Sequence, residues 1–327
     1  MKRASVIAGV LGLAVAIALI VHQGWQAILQ LLDAAGWSLL WLIPFHTLPI
    51  ALDAEGWRTL LRPRDPQRQA TRPFLFWIAS VREAVNRLLP VASVGGEIVG
   101  IRLALLRPLS GAAVTASVIL EVLLTILSQY LYTSLGLVLL ISLLHRTAIS
   151  DALLWGLLVS LPVPLLLLAL LRYGNLFARI ERALIKLLGD SHKLAALLGN
   201  STALDAEIRL LCRHHARLWA AMGWQFAGMV VGSFEIWLAL RLLGHPVNPW
   251  EAMTLESLTL AIRHFAFFVP GGIGVQEAGL VVFGQMIGLA ADVSVALSLA
   301  KRAREIGFGL PALISWQLLE TKRLAAA

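Results

Sequence analysis

Between Val114 and Leu144 the only charged residue is Glu121. A run of that length exceeds the roughly 20 apolar residues that carry a helix across a bilayer. Five more stretches qualify: Ala4 to Val21, Trp37 to Leu52, Leu153 to Leu171, Leu218 to Leu240 and Val293 to Leu319. Hydrophobic residues make up 58% of the 327, charged residues 14%, and the mean hydropathy is +0.79. That is more apolar surface than a soluble core can hide. The chain therefore reads as an all-α integral membrane protein with about six spanning helices. The start, "MKRASVIAGVLGLAVAIALIV", also has the basic end and apolar run of a signal peptide. Later spans already anchor the chain, and the length of this one favours a retained first helix.

A net charge of +8 and a pI near 10.4 would suggest nucleic acid in a soluble protein. Here the basic residues cluster between spans, at Lys2 and Arg3, from Arg58 to Arg72, from Arg172 to Arg217, and at Lys322 and Arg323. Lys and Arg collect on the cytoplasmic side of membrane proteins, so no nucleic-acid partner is expected. The connections Gln23 to Gly36 and Gly244 to Met253 hold neither residue and are assigned outside. Threaded this way, the chain is a multi-pass protein of a bacterial inner membrane with both termini in the cytoplasm. The segment 172–217 has apolar residues at helical spacing with basic ones between, which suits helices on an anionic leaflet or a partner-docking surface. Adjacent His214 and His215 project about 100° apart on a helix and make a poor metal pair. Cys212 is the only cysteine and is expected to be inert.

Two apolar segments do not thread as spans. "LLPVASVGGEIVG" lies between basic flanks, and "FVPGGIGVQEAGL" lies between flanks that must both be outside. Each contains a proline, then small residues, then a glutamate seven positions on: Pro90 to Glu97 and Pro270 to Glu277. The offset is 180 for both the prolines and the glutamates. Proline removes an amide donor and glycine relaxes the backbone, so Pro90, Gly95 and Gly96, and Pro270, Gly271, Gly272 and Gly274, are assigned to hairpin turns. Non-helical backbone at membrane depth survives only inside protein or beside a wet cavity. The expectation is two re-entrant hairpins of opposite orientation arranged as an inverted repeat. The organisation predicted is 1–72 as N-terminal helices and cytoplasmic loop, 73–171 as the first repeat, 172–217 as an amphipathic segment and 218–327 as the second repeat.

Ionisable residues inside membrane segments are costly and are usually placed for function or pairing. Glu97 and Glu277 are candidates for binding a polar group, or they cap the helices that follow them. Arg82 and Asn86 share a helical face before the first turn, with Glu83 and Arg87 spaced for an ion pair; Arg263 and His264 precede the second turn. Lys301, Arg302, Arg304 and Glu305 interrupt the last span. The 180 offset sets Glu121 opposite Lys301, beside Arg302, so an intramembrane ion pair or a substrate role is predicted for it. Glu235 and the Asp53/Glu55 pair are expected to be structural or interfacial.

"NRLLPVASVGGEIVGIRLAL", "FFVPGGIGVQEAGLVVFGQMIGL" and "SLAKRAREIGFGLPALISWQLLE" resemble the membrane region of lysylphosphatidylglycerol synthase/flippase proteins. They are most similar to the hopanoid-biosynthesis-associated HpnL branch, with "ASVGGE" and the Lys-Arg-Ala-Arg-Glu run favouring it. The resemblance implies a lipid translocase that moves hopanoids, pentacyclic triterpenoid lipids, out of the inner membrane. Lipid is then the substrate, and hopanoid-synthesis or export proteins are the expected protein partners. The sequence given carries no soluble aminoacyl-transfer domain after Glu320, so lysyl transfer is not expected. An enzyme would need metal-binding or nucleophilic constellations; none is recognised, and neither a cofactor nor a metal is expected. A membrane-embedded lipid-modifying enzyme and a non-transporting assembly factor for hopanoid synthesis are the alternatives.

Overall fold

In hydrocarbon a chain must satisfy its backbone polar groups internally, and the apolar runs do so as helices. The computed structural model describes residues 25–89, 95–144, 148–173, 175–179, 201–266, 269 and 272–326. Ala4 to Val21 and the turn residues Pro90, Pro270 and Gly271 lie outside the described residues. Every regular element among those described is helical. α1 (Trp25–Ala35) leads through a 3-10 turn to α2 (Leu42–Leu61), followed by α3 (Arg72–Leu88), α4 (Gly95–Ala104) and α5 (Gly111–Leu144). Then come α6 (Ala148–Ser160), α7 (Pro162–Tyr173) and α8 (Ser201–Arg213). The last four are α9 (His215–Leu242), α10 (Pro249–Phe265), α11 (Val275–Met286) and α12 (Ala291–Ala326). Leu29–Arg64, Gly111–Leu143 and Ala148–Tyr173 are long and apolar enough to cross a membrane. The chain is an all-α membrane protein.

Two boundaries and one packing surface differ from the sequence expectation. α2 does not stop at Leu52, because Ala54, Trp57, Leu60 and Leu61 continue its buried face to the arginine-rich turn. Asp53 and Glu55 are thus helical rather than part of a loop. The stretch Leu153 to Leu171 falls on two helices that meet at Leu161, just before Pro162, which cannot donate to a continuing ladder. In α8 the apolar face, with Ile208, Leu211 and Cys212, packs against Leu120, Leu123 and Leu124 of α5. This face of α8 is covered by protein, since amphipathicity alone does not say what covers a face; residues 174 and 180–200 of the segment expected to lie on a leaflet are outside the described residues. Burial there pushes the Cys212 thiol up.

Two apolar clusters mark the ends of the bundle. At one end Leu137 and Leu140 of α5, Ile236 to Leu243 of α9, Ala252 to Leu258 of α10, Leu280 and Phe283 of α11, and Val293 to Ala300 of α12 pack with Leu42. At the other, Ala54 to Leu61 of α2, Leu75 to Val85 of α3, Leu103 and Ala104 of α4, and Val114 and Val118 of α5 pack with Leu313 and Trp316 of α12. Arg62, Arg64, Arg72, Arg102 and Arg107 lie at this second, basic end. α3 therefore enters from the basic end and α4 returns to it, whereas α10 enters from the far end and α11 returns to that one. α5 and α12 run the length of the bundle in opposite directions, as do α2 and α9.

The helices that follow each turn keep the offset seen in the sequence: α4 and α11 begin at Gly95 and Val275, α5 and α12 at Gly111 and Ala291. Packing is reciprocal. α2 lies along α9, while α3 lies along α12 and α10 along α5, so each hairpin's first arm rests on the long helix of the other half. Small residues allow these close approaches. A Cβ on Gly136 of α5 would fall 1.7 Å from Ser257 Oγ of α10, and one on Gly309 of α12 would fall 2.7 Å from Leu88 Cδ1 of α3.

Candidate functional site

The first hairpin is closed by polar groups that the helical period puts on one face of α3. Arg82 donates to Glu121 of α5 at 2.8 Å and also bonds Glu97 of α4. One turn on, Asn86 accepts from the Gly96 amide at 2.8 Å and donates to Glu97 at 3.3 Å. The glycines let α4 lie this close: a Cβ on Gly96 would meet the Arg82 carbonyl oxygen at 2.3 Å, and one on Gly100 would meet Arg82 Cδ at 2.5 Å. The Arg82 guanidinium also sits 5.0 Å from the centroid of the Trp57 ring, a cation–π contact in a water-poor setting.

The second hairpin is closed differently. Gly272 and Gly274 have φ of +62° and +81°, conformations that a side chain resists. Glu277 accepts from the Gly274 amide at 2.6 Å, which caps α11. Its other oxygen accepts from Ser298 and from Arg302 of α12, each at 3.1 Å. Glu277 is thus both a cap, one of the two sequence alternatives, and an ion-pair partner of Arg302. Arg263 of α10 donates to Gln276 at 2.9 Å.

The first arms of the two hairpins meet at Glu305 of α12. Arg302 donates to it at 2.9 Å, Arg87 of the first hairpin lies 3.5 Å away and Arg263 of the second 3.7 Å away. The Glu305 side chain is only 2% exposed, so the charge must be matched by these arginines. The Arg87 and Arg263 contacts exceed direct hydrogen-bond length. Beside this point Arg304 donates to Glu235 of α9 at 2.8 Å. His46 of α2 places Nδ1 2.7 Å from Glu235 and Nε2 2.8 Å from Glu83. Lys301, one turn before Arg304 and Glu305 on α12, donates to Glu256 of α10 at 2.7 Å.

The structure thus gathers Arg82, Asn86, Glu97 and Glu121 into one group, and Arg87, Arg263, Arg302, Arg304 and Glu305 into another, with Glu277 attached through Arg302. His264 is exposed and, among the described residues, bonds the Leu260 carbonyl of its own helix at 3.0 Å, with Arg87 as its charged neighbour. The predicted pairing of Glu121 with Lys301 or Arg302 does not form. Glu121 lies ten residues into α5 from the basic end and Lys301 ten residues into α12 from the far end, so the two occupy different depths. Each finds its partner on the first hairpin arm of its own half, Arg82 for Glu121 and Glu256 for Lys301.

Glu235, expected to be structural or interfacial, sits in the central network. Sequence reasoning passed over His46 and Glu256. The signal for His46 was available, an ionisable residue inside the apolar run "LIPFHTLPIAL". Among the described residues, no group of three or more His, Cys, Asp or Glu is arranged to hold a metal ion; Glu83 and Glu235 instead bond the two nitrogens of His46. What the arrangement can do is exchange its own ion pairs for the polar group of a ligand.

The comparisons give one finding. A family model described as the lysylphosphatidylglycerol synthase TM region matches residues 6–312. Comparison with curated proteins and with solved structures returns no match.

Proposed function

Because this chain belongs to the family of the lysylphosphatidylglycerol synthase TM region, whose membrane domains relate to lipid, we propose that it is a lipid translocase rather than an enzyme. In this reading it lies in a bacterial inner membrane with both termini in the cytoplasm and moves a hopanoid or related lipid out of the inner leaflet. The assignment to the HpnL branch rests on the "ASVGGE" and Lys-Arg-Ala-Arg-Glu segments and is part of the proposal.

One observation carries it: a buried glutamate, Glu305, meets an arginine from each of two hairpins that enter the bundle from opposite ends. The reciprocal packing and the constant offset support an inverted repeat, the architecture that lets one half rock against the other around a fixed central site. The long contacts of Arg87 and Arg263 are the ones a polar lipid head replaces at least cost, since they are not direct hydrogen bonds. The arginine-rich end faces the cytoplasm by the charge rule, so the first hairpin opens inward and the second outward.

Reconstitution in liposomes tests this. With a hydroxylated hopanoid loaded into one leaflet, the protein should speed its appearance in the other, with the lipid recovered chemically unchanged. Recovery of a modified lipid would mean an enzyme, and no redistribution of any lipid would remove transport.

A further inference from the structure

The central network contains one ring nitrogen with two incompatible partners. His46 Nε2 lies 2.8 Å from the Glu83 carboxylate, which can only accept, and 3.1 Å from Arg304 Nη1, which can only donate. Nδ1 lies 2.7 Å from Glu235, another acceptor. A neutral imidazole has one donor and one acceptor nitrogen, and an imidazolium has two donors. Glu235 therefore holds the Nδ1 proton in both forms, as an orienting carboxylate does. The second proton decides whether Nε2 donates to Glu83 or accepts from Arg304.

We propose that His46 is the proton-binding site that couples lipid movement to a proton gradient, through exchange of Glu83 and Arg304 at its Nε2. The inference rests on the translocase reading. The exchange matters because of where Glu83 stands. It is on α3, the entering arm of the first hairpin, and its carboxylate is 3.5 Å from Arg87, one turn on. Arg87 is also 3.5 Å from Glu305, where the first arms of the two hairpins meet. A proton on Nε2 draws Glu83 to α2 and leaves Arg87 to Glu305. Loss of that proton to water turns Nε2 toward Arg304 and returns Glu83 to Arg87, 3.5 Å away, and to Arg304, 3.8 Å away. One proton thus shifts Arg87 between two carboxylates.

The setting of His46 agrees with this. The residue is 7% exposed, and its ring stands edge-on to Phe308 at 5.1 Å, so it has little freedom beyond the change of partner. The charged groups that face it are Glu83 from α3, Glu235 from α9 and Arg304 from α12; Lys301 acts on Glu235 from the same α12. Two turns along α2 toward the basic end is Asp53, whose electrostatic neighbours are Glu121 of α5, Glu83 and Arg82 of α3, and His46. Asp53 lies against α9, since a Cβ on Gly228 would meet its Oδ1 at 2.7 Å. It is a further titratable carboxylate within the electrostatic reach of His46.

The test uses the full chain in proteoliposomes with a clamped membrane potential and a hydroxylated hopanoid as the probe. The readout is the steady-state leaflet ratio of the probe with and without an imposed gradient of one pH unit. If one proton moves per lipid, the ratio shifts about tenfold per unit. In His46→Gln, which donates and accepts but never gains charge, the shift should vanish. If that variant fails to fold, the wild-type ratio alone decides. Redistribution to the same ratio with and without the gradient overturns proton coupling and leaves the translocase reading standing. No redistribution under either condition overturns both.

Discussion

Replacing Arg82 by glutamine gives the most direct measure of what the buried charges hold together. Arg82 is the cation for both Glu97 and Glu121; its side chain is 11% exposed, theirs are 22% and 7%. Glu97 keeps Asn86 as a donor and has some access to water, so most of the loss falls on Glu121, whose other polar neighbour is Gln225. Leaving a buried carboxylate without its cation costs about 3–5 kcal/mol, or about two to three and a half powers of ten in the unfolding constant. Removing the stranded charge as well should return part of this. Arg82→Gln with Glu121→Gln should therefore be more stable than the sum of the single effects by about 0.5–3 kcal/mol, the range for residues in one network. Reversible unfolding in mixed micelles, followed by tryptophan fluorescence, measures all three variants. If Arg82→Gln lies within about 0.5 kcal/mol of the parent, as an ordinary surface change would, or if the second change brings no recovery, the pair is not desolvated and the reasoning fails.

Glu277→Gln keeps an oxygen for the Gly274 amide but loses the charge facing Arg302, so the protein should insert and fold while probe redistribution falls sharply; normal transport would reduce Glu277 to a cap. Gly284→Ala would place a Cβ 2.3 Å from Ser294 Oγ but 3.4 Å from its Cβ. It should cost about 1–3 kcal/mol by overpacking and be relieved by Ser294→Ala, as thermal unfolding would report; a harmless single change would mean that α11 and α12 are farther apart. Orientation can be read from cysteine labelling: with Cys212 replaced by serine, a cysteine at His245 should react with an impermeant reagent in intact cells and one at Gln67 only after the membrane is opened. Labelling at Gln67 in intact cells would invert the assignment.

The sequence alone determined the class, because the apolar runs have no soluble solution and lipid demands helices. It also placed both breaks from proline and glycine, although Gly95 and Gly96, assigned to the first turn, belong to α4, and Glu97 and Glu277 stand in the first turns of α4 and α11; the 180 offset reappears in the starts of the helices that follow each turn. Within one helix it gave contacts correctly: Arg82 with Asn86 on one face and Glu83 beside Arg87 follow from 3.6 residues per turn. Between helices it did not. Glu121 meets Arg82 rather than Lys301, and Glu235 with His46 stands at the centre instead of an interface, because such pairs depend on the depth and facing of helices far apart in the chain. The offset relates equivalent positions in the two halves, but opposite orientation carries equivalent positions to different depths. The folded arrangement decided which charge neutralises which: Glu121 and Lys301 are each met by the first hairpin arm of their own half, α3 and α10.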